Sequence, residues 1–150
     1  MTDTIRTSAV PAVRHPVHAL LAPVPVVCFT GALLTDIAYY KSPDMQWANF
    51  SAWLLCVGMI FAVLAAIAGV VDHFGTPRAR RPRANPGHVV GTVVVLVLAL
   101  INNFVHSRDA WTSVVPTGLT LSVLTVLAML VTALLGRAIV TRPPTDREIR

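Results

Sequence analysis

The sequence predicts an all-α integral membrane protein, a four-helix bundle running up-down-up-down with both termini in the cytoplasm. Three observations predict it. The 150-residue chain is 55% hydrophobic and only 13% charged, about half the charge of a soluble domain. Its mean hydropathy is +0.68. Its apolar residues gather into four runs of membrane-crossing length, with the arginines between them.

A helix needs about 20 largely apolar residues to cross the ~30 Å hydrocarbon core. The runs that qualify are residues 17–39, 50–71, 89–105 and 116–136. Backbone polar groups cannot stay unpaired in lipid, so each run is expected to be helical, even the valine-rich GTVVVLVLAL. Residues 17–140 therefore form one membrane domain, flanked by tails at 1–16 and 141–150. The links KSPDMQWAN, Asp72–His88 and HSRDAWTSVV are short and polar, and short links favour antiparallel neighbours. Pro23 and Pro25 are expected to kink or widen the first helix. Gly58, Ala62 and Ala66, four apart in the second span, allow close helix approach.

Arginine placement sets the orientation. The N-terminal tail, the middle loop and the C-terminal end share one side and hold ten of the twelve Lys and Arg residues. The other side has Lys41 and Arg108. The positive-inside rule places the richer side in the cytoplasm. Trp47, Trp111, Tyr39 and Tyr40 fall on the opposite side, as an interfacial belt would. The first span is too long for a cleaved signal and has no small-x-small site, so it is expected to be retained.

Cys28 and Cys56 sit inside apolar runs, as packing residues do. No Cys-x-x-Cys pair, phosphate-binding glycine loop, His-Glu-x-x-His or Gly-x-Ser-x-Gly occurs, so an enzyme of those chemistries is not expected. Arg78, Arg80, Arg81 and Arg83, in TPRARRPRANPG, can draw anionic lipid headgroups at about 1 kcal/mol each, or serve only as a topology anchor. Without interleaved aromatics this loop does not suit nucleic acid.

The remaining polar residues sort to two heights. His15, His18, Asp72, His73 and His88 lie at helix ends on the cytoplasmic side. His15, His18 and His88 are candidate ligands for a divalent metal, with Asp72 as a further ligand or orienting a ring. Alternatively, one histidine from span one and one from span three can hold a b-type haem. The plain structural reading is that such residues gather where water begins. On the far side, Asp36 lies about 27 Å from His18, taking 1.5 Å per residue. Asn102, Asn103 and His106 end span three at a similar height. A carboxylate among Leu33, Leu34 and Ile37 should face the bundle. Asn102 and Asn103 are expected to be its hydrogen-bond partners, in a helix lock or, alternatively, an ion or proton site.

HPVH, ALLTDIAYY, WANFSAWLL and LAAIAGVVDHF together resemble the small bacterial four-span proteins grouped as domain of unknown function 2231. The resemblance covers about residues 14–136. Members open with His-Pro-x-His-Pro, place an aspartate late in span one, and close span two with Gly-x-x-Asp. A basic loop and a histidine opening span three follow. The matching positions here are His15, Pro16, His18, Asp36, Gly69, Asp72 and His88, and Ala19 stands where the family usually has a second proline. Some members look like relatives of di-haem cytochrome bundles or accompany Rieske-type domains, so the resemblance implies a membrane redox role.

The sequence thus leads to an accessory or structural membrane protein. Two alternatives stand beside it. One is an electron-transfer or metal-binding protein acting with a redox partner, and the other is a small ion- or proton-coupled transport subunit centred on Asp36.

Overall fold

The computed structural model describes residues 17–75, 85–108 and 113–140, with side chains through residue 136 in the last stretch. Five α-helices and one π-helical turn make up its regular structure: α1 (Val17–Leu21), α2 (Pro23–Lys41), α3 (Met45–Gly75), α4 (Pro86–His106), a π-turn (Val114–Gly118) and α5 (Leu119–Val140). They build four apolar spans long enough to cross a membrane: Val17–Lys41, Met45–Gly75, Pro86–His106 and Val114–Gly136.

Each boundary has a local cause. Pro23 and Pro25 lack the N–H groups that would bond the carbonyls of Ala19 and Leu21, so α1 stops and α2 restarts with Pro23 in its first turn. Ala22 between them keeps helical dihedrals (φ −58°, ψ −32°), and its N–H still reaches His18 O at 2.9 Å. The expected disturbance of span one is therefore a one-residue interruption.

Span two begins at Met45, ahead of the expected residue 50. Asp44 Oδ1 accepts the N–H of Gln46 at 2.9 Å and satisfies one of the orphan donors of the first turn. Span three likewise starts at Pro86, because Asn85 caps it by accepting from Gly87 N at 3.0 Å. Asn85 Nδ2 also donates to Leu135 O on α5 at 2.7 Å, fixing the start of α4 against the end of span four. Span four opens at Val114 in the π-turn. Val115, before Pro116, is extended (φ −117°, ψ 133°), as a residue preceding proline prefers.

In the packing, α3 lies on α1 and α2, α5 lies on α4, and α2–α5 and α3–α4 contacts close the ring. Phe29, Ala32, Leu55, Val95 and Ala99 form the central core, flanked by Leu54, Met59, Ala62, Ala128 and Met129. Every span contributes. A smaller cluster of Tyr39, Ala48 and Val114 sits at the far end. Large apolar side chains such as Val27, Trp53, Phe104 and Leu134 are exposed, as expected of an outer surface solvated by lipid tails. Without a hydrophobic drive between helices in lipid, close packing has to hold such a bundle together.

Gly58 shows how close that packing is. A Cβ there would lie 2.7 Å from the Phe29 ring and 2.8 Å from Cys28 Cβ. Gly58→Ala is expected to destabilise the bundle by about 1–3 kcal/mol, measurable by reversible SDS unfolding in mixed micelles.

Candidate functional site

The polar residues form two separate sites, one at each end of the bundle. At the near end, His18 comes from α1 and His88 from the first turn of α4. His18 Nδ1 lies 2.8 Å from Ala65 O on α3, and His88 Nδ1 lies 3.2 Å from Thr132 O on α5. A carbonyl only accepts, so each Nδ1 carries the proton, and in the neutral ring each Nε2 keeps its lone pair.

The two sites of contact match each other in sequence. Ala65 and Gly69 receive His18, and Thr132 and Gly136 receive His88, both sets four residues apart. A Cβ at Gly69 would lie 3.2 Å from His18 Nδ1, and one at Gly136 would lie 3.2 Å from His88 Nδ1. Each imidazole is thus backed by a glycine and tethered one helical turn away.

Both histidines line one cleft of about 290 Å³ between the four spans. Pro25, Val26 and Phe29 wall it from α2, Ala62, Ala65 and Ala66 from α3, Val95 and Leu96 from α4, and Met129 and Ala133 from α5. The small residues of the second span therefore divide their work. Gly58 packs against α2, while Ala62 and Ala66 leave space.

His15 and Arg78, Arg80, Arg81 and Arg83 lie outside the described residues. Asp72 and His73 occupy the end of α3, where the His73 ring meets Phe74 edge-on at 5.5 Å. Neither lines the cleft. Among the described residues no three His, Cys, Asp or Glu side chains come together as a metal site.

At the far end, Asp36 is 0% exposed. His106 Nε2 lies 3.0 Å from its Oδ1, and Ser122 Oγ donates to its Oδ2 at 2.5 Å. Asn102 Nδ2 donates to Ser122 Oγ at 2.9 Å, and His106 Nδ1 meets Asn102 O at 3.1 Å. The cluster ties α2, α4 and α5 together. Gly118 in the π-turn makes room for it, since a Cβ there would lie 2.6 Å from His106 Cε1. Beside the cluster, Thr35 Oγ1 and Ser51 Oγ bond at 2.7 Å between α2 and α3.

Asp36 faces the bundle as expected, but its direct partners are His106 and Ser122. Asn102 is one bond removed. Asn103 turns elsewhere, donating to Leu55 O at 3.1 Å and fastening α4 to α3. Ser122 carries no signal of this role in the sequence. One sequence signal connects the two ends: Asp36 follows His18 by eighteen residues, and His106 follows His88 by the same interval. Equal intervals on two helices put each pair at one height.

Four apolar spans with buried polar residues between them define a multi-pass membrane protein. The sequence profile described as "Predicted membrane protein (DUF2231)" matches residues 14–144, and the chain belongs to that family. No curated protein and no solved structure gives a significant match.

Proposed function

We propose that this chain is a bacterial inner-membrane electron-transfer protein in which His18 and His88 would hold a b-type haem at the cleft between the spans. The observation that carries the reading is the convergence of the two imidazoles on one apolar cleft, each with Nδ1 on a carbonyl. Ligating histidines are oriented in this way by their second nitrogen, which also raises the basicity of the first. Haem when bound supplies one-electron chemistry, and two neutral nitrogen donors suit it. The same pair is too few for a structural zinc site, which takes four ligands. The cleft walls are mostly apolar, and Ala62, Ala65, Ala66 and Ala133 leave room between the helices.

In this reading the spans run up-down-up-down with both termini cytoplasmic, supported by the arginine asymmetry. The histidine end of the cleft is then the cytoplasmic one, where a redox partner protein would dock, and Arg78, Arg80, Arg81 and Arg83 would belong to the same side, near anionic headgroups. A second reading, an accessory protein held rigid for a partner's sake, is favoured by the far-end network. Asp36, Ser122, Asn102 and Asn103 all bond between spans there.

The deciding experiment is a reduced-minus-oxidised spectrum of detergent-purified protein from haem-sufficient cells. Soret and α-bands are expected, and they should disappear in His18→Ala and in His88→Ala. A folded, colourless wild type that takes up no added hemin would overturn the haem reading and leave the accessory one.

A further inference from the structure

The hydrogen-bond inventory at the far end fixes how many protons it contains. His106 Nδ1 faces Asn102 O at 3.1 Å, and a carbonyl cannot donate, so Nδ1 is protonated. Asp36 Oδ2 already accepts from Ser122. Only the 3.0 Å contact between His106 Nε2 and Asp36 Oδ1 is left to assign. With no proton there, two lone pairs would face each other and the carboxylate charge would be buried without a counter-charge. With two protons, N–H and O–H would collide and a net positive charge would be buried. One proton satisfies the contact, as imidazolium with carboxylate or as neutral imidazole with carboxylic acid. Both forms are neutral as a pair.

We infer that Asp36 and His106 form an intramembrane proton-binding site holding one proton shared between a carboxylate of span one and an imidazole of span three. A second observation points to the same site. Asn102 Oδ1 is buried with no hydrogen-bond partner among the described residues, while its Nδ2 is joined through Ser122 to Asp36. A buried acceptor of this kind is the place for a water or other proton-carrying donor. The chain Asn102–Ser122–Asp36–His106 therefore offers proton donors and acceptors in sequence.

Other titratable groups nearby do not supply the counter-charge. Tyr39 is buried one turn further along α2, and Lys41 and Arg108 are exposed. At this height α3 offers only Cys56, whose side chain is exposed, and the start of span four carries no titratable side chain. The site is independent of the histidine cleft, so it stands or falls whether or not haem is bound.

The test uses the full chain in detergent or lipid near neutral pH, with ¹³C-labelled aspartate for infrared spectroscopy and ¹⁵N-labelled histidine for NMR. Expected is one of two signatures: a carboxylic-acid C=O band lost in Asp36→Asn, or a His106 ring with both nitrogens protonated. A carboxylate band for Asp36 together with a singly protonated His106, or a carboxylic-acid band together with a doubly protonated ring, would overturn the inference. The unsubstituted protein alone decides between them if Asp36→Asn does not fold, since infrared and NMR together cover every protonation state of the pair.

Discussion

Asp36→Ala is expected to destabilise the bundle by about 3 kcal/mol or more, while Asp36→Asn is expected to cost less than about 1 kcal/mol. The difference follows from what each variant leaves behind. Alanine strands His106 Nε2, the Ser122 hydroxyl and a small void at a position that is 0% exposed. Asparagine has the shape of the protonated acid. Its amide can donate to Nε2, and its carbonyl can accept from Ser122. Neutral hydrogen bonds between membrane helices average only ~0.6 kcal/mol, because the dissociated helices find other partners. Alanine instead leaves two buried polar groups without partners, at about 1–3 kcal/mol each. Reversible SDS unfolding of the two variants measures the gap. A cycle combining Asp36→Ala with His106→Ala should show strong coupling, since the two residues share one contact.

The four spans were legible because length and apolar continuity are enough to mark a membrane helix. Their ends were less so. Asp44 and Asn85 act as caps through side-chain oxygens, and that moved two helix starts outward from the apolar runs. At the far site, Asp36 announced itself by being charged in an apolar run, but its partners depended on rotation about the helix axis. Asn102 and His106, four apart, share one face of α4. Asn103 is about 100° further round and meets α3 instead. Ser122 carried no signal, because a serine in a membrane span is ordinary. The near-end histidines were visible as residues, whereas their tethers are backbone carbonyls that no side-chain pattern reports. The paired eighteen-residue intervals were present in the sequence, and they hold information that individual motifs lack. They relate the first hairpin to the second and pair His18 with His88 as they pair Asp36 with His106.

That correspondence gives the most direct test of the near-end cleft without touching a proposed ligand. Gly69→Ala and Gly136→Ala are each expected to weaken haem retention by about 10–100-fold, the usual effect of disturbing the groups that orient a ligating imidazole. Leucine at either position should abolish the chromophore. The reason is distance: an added Cβ would stand 3.2 Å from Nδ1 of His18 or of His88. The ring must then shift by a few tenths of an ångström, lengthening its bond to Ala65 O or Thr132 O, and a longer side chain requires a larger shift. Gly75→Ala is the control, since nothing lies within 4 Å of its added Cβ. Hemin titration followed at the Soret band gives the affinities, and SDS unfolding of the same samples reports the fold. Loss of haem in both glycine variants with unfolding unchanged would assign the two glycines as positioning residues for the imidazoles. Equal retention in all three variants would show that neither imidazole orientation matters, and would count against His18 and His88 as the residues that hold haem.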